Sequence, residues 1–143
     1  KSAEYLDDRR LKSTINELCQ VINANINKAA FSHFGAVIGH INHPVTLWYN
    51  SVEGTDFLIE YGHALCKEYT HRFKKCHQNY YTIVGFKSAD YQQLLPKNSD
   101  FIFATQVENK RMSTDISEIR KYVFEKAKIN PMEWTGRKKP YFF

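Results

Sequence analysis

No stretch of the 143-residue chain approaches the ~18 consecutive apolar residues of a membrane-spanning helix. The longest apolar runs, such as Gly35-Ala36-Val37-Ile38, are far too short, so no membrane segment is expected. Glycine and proline are scarce, at six and four residues, which leaves little room for low-complexity linkers. No internal repeat is present. Three cysteines, Cys19, Cys66 and Cys76, are an odd number without a framework spacing. They are expected to be reduced thiols in a cytosolic protein. CxxC pairs are absent, and His63 with Cys66, or Cys76 with His77, supplies too few ligands for zinc. There is no glycine-rich phosphate loop and no GxSxG elbow. Neither a metal nor a cofactor is therefore expected. The first residue is Lys1 and not Met, which leaves open a segment ahead of it.

What the chain does have is positive charge and aromatic rings. Twenty Lys and Arg against fifteen Asp and Glu give +5, which favours an anionic partner. Nine Tyr and ten Phe are many for this length. They fit either an aromatic-rich core or surface rings that stack on bases. A hydrophobic fraction of 43% with 24% charged residues is a globular composition. The length fits one domain over 1–143, since domains cluster at about 100–150 residues.

Leu11, Ile15, Leu18 and Ile22 recur at helical spacing, and Asp7 and Asp8 suit the positive end of that helix. A second stripe, Arg10, Ser13, Glu17 and Gln20, is polar throughout. Residues 27–44 read as a connection punctuated by Gly35, Gly39 and Pro44, and Pro44 to Asn50 as a short helix. A long helix follows, with Asp56 as its expected cap. Its apolar stripe is Phe57, Leu58, Tyr61, Leu65, Tyr69 and Phe73, opposite Glu60, His63, Lys67, His71 and Lys74. Tyr80 to Phe86 reads as a short strand or a loop, and Asp90 to Leu95 as a helical turn ended by Pro96. Asp115 and Glu118 have capping-box spacing. The helix they open carries Ile116, Ile119, Val123 and Ala127, and Asn130-Pro131 ends it. The expected fold is all-α: a bundle of three main helices and one short one with long irregular connections. Leu18, Leu65 and Val123 are expected to meet in one core.

Two basic clusters stand out. One is Arg9, Arg10 and Lys12, ahead of Glu17. The other is Arg137, Lys138 and Lys139, between Trp134 and the ring triplet Tyr141, Phe142 and Phe143. Basic side chains contact phosphates, and rings stack on bases or wedge into a duplex. The tail over 134–143 equally fits rings docked onto the helices.

The order of these residues resembles a family. Leu6, Asp8, Leu11 and Glu17 follow the opening-helix pattern of the pyrimidine-dimer DNA glycosylases of the phage endonuclease V type. Asn42-His43-Pro44 with Trp48, then Leu58, Tyr61, Cys66, Glu68 and Arg72, is similar to the middle of their bacterial and phage relatives. Glu125-Lys126, Pro131, Trp134 and the basic aromatic tail resemble their end. The likeness covers most of the chain but skips residues 78–112. It implies an all-α domain that excises a damaged pyrimidine from double-stranded DNA and cleaves the strand at the abasic site. The α-amine of the processed N-terminus would be the nucleophile and Glu17 the catalytic carboxylate. Arg9, Arg10, Lys12, His43, Trp134, Arg137, Lys138 and Lys139 would bind the DNA. The resemblance places the amine further upstream of Leu6 than Lys1 lies. It departs at Asn16 and Gln20, where the family carries basic residues beside the glutamate. Two other readings stay open: a nucleic-acid-binding protein without catalysis, and a phage protein-interaction module that kept the fold. The oligomeric state is open as well.

Overall fold

A computed structural model of the chain describes residues 2–27, 43–129 and 131–140. The connection expected over 27–44 thus falls almost wholly outside the described residues, as do Asn130 and the ring triplet of the tail. The fold is all-α. A short helix α1 (Ser2–Tyr5) leads into α2 (Asp8–Asn27), whose stripe of Leu11, Ile15, Leu18 and Ile22 is buried throughout. Then come α3 (Pro44–Trp48) and the long α4 (Val52–Phe73), which packs along α2 through Leu58, Leu65, Cys66 and Tyr69. Helices α5 (Tyr80–Gly85) and α6 (Ser88–Tyr91) follow. A two-stranded antiparallel hairpin, β1 (Thr105–Gln106) and β2 (Met112–Ser113), precedes α7 (Ile116–Ile129).

Several local expectations are corrected. Helix α4 starts earlier than Asp56. Its N-cap is Ser51, whose Oγ accepts from Gly54 N–H at 2.9 Å. Gly54 is needed there, because a Cβ would stand 2.7 Å from the Tyr49 carbonyl oxygen. Asp56 instead accepts the hydroxyl of buried Tyr91. Residues 80–85 are helix and not strand, because Ile83 enters the core and is fully buried. The Asp115–Glu118 box does not close. Asp115 caps Ser117 N–H at 2.9 Å, but its own N–H goes to Ser113 Oγ, and Glu118 accepts from Ser113 and pairs with Arg111.

The largest correction concerns α7. Val123 is only half-buried, Ile116 is 55% exposed, and no residue of α7 is buried. Amphipathic spacing defines a helix face without saying what that face meets. Here Ile83 of α5 fills the place beside α2 and α4 that the third stripe was expected to take.

Many of the rings are structural. Tyr49 donates its hydroxyl to the Ala104 carbonyl at 2.6 Å, and Trp48 Nε1 donates to the Ile102 carbonyl at 2.9 Å. Phe57, Phe101 and Tyr49 stack in one cluster with centroids 5.4–6.2 Å apart. These contacts tie residues 101–104 to α3 and α4.

Candidate functional site

The polar stripe of α2 is the natural starting point, because helical spacing brings Ser13, Glu17 and Gln20 onto one side. That side faces α3 and forms a pocket of about 290 Å³ with His43 and Thr46 on its far wall. His43 is the N-cap of α3, and its Nδ1 accepts from Val45 N–H at 3.2 Å. Its position therefore follows from the His43-Pro44 helix start. Among the described residues, Glu17 is the one carboxylate lining this pocket, and no Lys or Arg lines it. Arg10 turns away to pair with Asp7 at 3.1 Å. Burial pushes the Tyr49 hydroxyl up to about 12, and the charge of Glu17 adds to that effect.

A second, wider hollow of about 440 Å³ shares Ser13 and Asn16 with the first. Arg9 and Lys12 line it together with Asp7 and Asp8, and Pro131 and Glu133 close it from the tail. The Lys12 ammonium also lies 4.5 Å over the Phe73 ring. Along α2 the surface thus passes from a hollow of mixed charge to a pocket whose charged group, among the described residues, is the Glu17 carboxylate.

The tail is held against the start of α2 by a buried ion network. The Arg72 side chain is fully buried. It donates to Glu68 at 2.8 Å, to Asp8 at 3.1 Å and to the Glu4 carbonyl at 3.0 Å. Arg137 forks onto the same Glu68 carboxylate at 2.7 and 3.0 Å and reaches Glu4 at 3.3 Å. Thr135 donates its N–H to Asp8 at 3.0 Å, and its hydroxyl bonds the same carboxylate. The turn that makes this possible is closed by Arg137 N–H on the Trp134 carbonyl at 3.1 Å. Gly136 stands in it at φ +68, where other residues are strained. The Trp134 indole donates to the Tyr5 carbonyl at 3.1 Å. Of the tail residues singled out for DNA, Trp134 and Arg137 therefore hold α1, α2 and α4 together, whereas Lys138 and Lys139 are exposed. Arg9 and Lys12 are exposed as well.

Nothing among the described residues groups three or more metal-ligating side chains. Burial raises the Cys19 thiol to about 12 and the Cys66 thiol to about 11, so neither is a thiolate at neutral pH.

Comparison with known proteins bears on this arrangement directly. The family model for pyrimidine dimer DNA glycosylases matches residues 1–81. The chain belongs to this family. The matched span contains Glu17, His43, Glu68, Arg72 and Asn79, and stops short of the tail. No curated protein and no solved structure shows significant similarity. A pyrimidine-dimer DNA glycosylase type of function, with DNA as the substrate, is what the family carries. No helix among the described residues is long and apolar enough to cross a membrane.

Spacing alone did not bring out three parts of the site. Glu68 and Arg72 have the i,i+4 order of a helix ion pair, and both lie beside the apolar stripe of α4, which was the available signal. Asn79, which donates to Asn16 at 2.6 Å across 63 positions, had none. Thr46 had none either.

Proposed function

We propose that the protein removes a damaged pyrimidine from double-stranded DNA and cuts the strand at the resulting abasic site, with Glu17 as the catalytic carboxylate. The observation that carries this reading is the position of Glu17: among the described residues it is the one carboxylate lining a concave pocket on α2, next to a hollow that holds Arg9 and Lys12, in a chain of this family. The damaged nucleotide leaves the stack, which costs a few kcal/mol and least at a lesion. Its base enters the Glu17 pocket, while Arg9, Lys12, Lys138 and Lys139 contact phosphates. The attacking group is the α-amine at the mature N-terminus, upstream of α1. An amine with pKa near ~8 is partly neutral at pH 7. Its nitrogen bonds to C1′, and the base departs with the electrons of the glycosidic bond. The sugar ring then opens at C1′–O4′, with a proton passing from the nitrogen to O4′, to give an iminium, and loss of a C2′ proton eliminates the 3′ phosphate. Glu17 stabilises the cationic sugar and moves protons at C1′ and C2′. Hydrolase and lyase chemistry thus share one site, and a cytoplasmic location, in a host cell if the source is a phage, follows from a DNA substrate.

Borohydride trapping of the chain with its native N-terminus, on abasic and ultraviolet-irradiated duplexes, tests this reading. A covalent protein–DNA adduct is expected. Binding without adduct or excision would leave a nucleic-acid-binding protein. No binding at low salt would leave a protein-interaction module.

A further inference from the structure

Between Tyr61 and Ala89 the chain carries one acidic residue, Glu68. It is buried and held by Arg72 and Arg137. Over the same span Lys67, Lys74 and Lys75, with His63 and His71, are exposed. None of these five side chains has a hydrogen bond, ion pair or ring contact among the described residues. Helical spacing sets His63, Lys67, His71 and Lys74 on one side of α4, opposite the buried Leu58, Leu65 and Tyr69. Lys75 follows directly. From the helical rise, the row runs ~16 Å from His63 to Lys74.

Two ordinary explanations fall short. The helix dipole favours cations in the last turn of α4, but Lys67 and His63 stand one and two turns before it. A protein-docking face carries apolar or aromatic anchors at its centre, and α4 exposes no large apolar side chain. A row of unpaired basic groups without such anchors suits a polyanion of regular charge. Duplex DNA is one, with a negative charge every ~1.7 Å of its axis.

The row also faces away from Glu17. Helices α2 and α4 pack through their apolar stripes, and on each helix the polar side lies opposite that stripe. The Glu17 pocket and the α4 row therefore look outward from opposite faces of the helix pair. Packed helices are about 8–10 Å apart from axis to axis, and side chains add a further ~5 Å on each side. One straight duplex cannot lie on both faces. We infer that the outer face of α4 is a second DNA-binding surface, on which Lys67, Lys74 and Lys75 hold the phosphates of a duplex segment other than the one presented to Glu17. The protein then bridges two segments. His63 and His71 add ring N–H donors for phosphate oxygens. The inference goes beyond the proposed function and shares with it only the binding of DNA on the α2 side.

The test mixes the full chain with two short duplexes, one carrying a donor fluorophore and one an acceptor, and reads energy transfer across a salt series. Cleavage of a single abasic duplex is measured on the same preparations. Wild type should bring the two duplexes together. Lys67→Gln with Lys74→Gln and Lys75→Gln should weaken bridging by about tenfold or more and lower its log–log salt slope by up to ~3, about 0.9 for each lysine. Abasic cleavage by the triple variant should stay close to wild type, since none of the three lines the Glu17 pocket or the hollow beside it. Lys74 is the left-handed C-cap of α4, so Lys67→Gln with Lys75→Gln serves if thermal melts show the triple variant misfolded. Two copies that each used the α2 side would also bridge, but their bridge would survive these substitutions, and that result would overturn the inference. Variants that lose cleavage and bridging alike would overturn it too. Wild type that cleaves abasic DNA without bridging would overturn it and leave the row to an acidic protein. Wild type that bridges but neither cleaves nor traps abasic DNA would overturn the glycosylase reading and leave the second surface standing.

Discussion

Arg137 and Glu68 are 69 positions apart in sequence, yet the guanidinium forks onto both carboxylate oxygens. Arg72 holds the same carboxylate from the other side, so one buried anion joins α4, the start of α2 and the tail. Removing a single partner from such a group leaves an uncompensated buried charge. Glu68→Ala should therefore destabilise the fold by about 3–5 kcal/mol, measured by urea denaturation. Glu68→Leu with Arg72→Leu should recover part of that loss. A single variant within ~0.5 kcal/mol of wild type would show that the network is not structural.

Acid should weaken the protein in two stages. Burial opposes ionisation of Glu68 and Asp8, but hydrogen bonds outweigh it: Arg137 and Arg72 on Glu68, Thr135 and Arg72 on Asp8. Both carboxyls are held below their ordinary values of 4.5 and 3.8. A depressed carboxyl stabilises above its unfolded value, and that stability is lost as pH falls through the folded value. Burial likewise lowers His77 from 6.5, so its contribution is complete above pH 6.5 and starts to fall below it. Urea midpoints should therefore decline gently below pH 6.5 and more steeply below pH 4.5. A flat profile between those two values would contradict a buried neutral His77.

The two ends of the tail cluster should behave differently toward DNA. Lys138 and Lys139 are exposed, whereas Arg137 is committed to Glu68. Each phosphate contact contributes about 0.9 to the log–log salt slope on duplex DNA. Lys138→Gln with Lys139→Gln should lower the slope by up to ~2, with little change in melting temperature. Arg137→Gln should lower the melting temperature first. An unchanged slope in the double lysine variant would move the DNA contact away from the tail.

The contrast between Leu65 and Val123 shows how far the sequence can be read. Both sit on clean apolar stripes at helical spacing, and both helices exist. Leu65 is fully buried between α2 and α4, whereas Val123 lies on a helix with no buried residue. Periodicity reports local geometry, while the choice of partner depends on long-range packing, here the arrival of Ile83 from a segment with no clear period. The site divides in the same way. Glu17, Ser13 and Gln20 share a stripe that spacing reveals, and His43-Pro44 announces its own helix start. Thr46 reaches the pocket, and Asn79 reaches Asn16 on its wall, only through tertiary placement. Leu65→Ala should cost about 2–5 kcal/mol, and Val123→Ala less than ~1 kcal/mol. Equal costs would mean that α7 belongs to the core after all.

Glu17 is where structure and chemistry separate most sharply. It is exposed on α2 and lines the pocket with His43 and Thr46 on the opposite wall. Glu17→Gln keeps its size and hydrogen-bonding capacity while removing the charge. The folded state should notice little, since an exposed carboxylate rarely contributes more than ~1 kcal/mol. DNA binding should persist or tighten, because a negative charge that repels phosphate has gone. Excision should fall by orders of magnitude, because the cationic sugar loses its counter-charge and the proton loses its carrier. Fluorescence binding isotherms, thermal melts and single-turnover excision on one preparation distinguish these effects. A Gln variant as active as wild type would return Glu17 to the solvated face of α2. A variant that loses binding and excision together would make its role one of holding DNA.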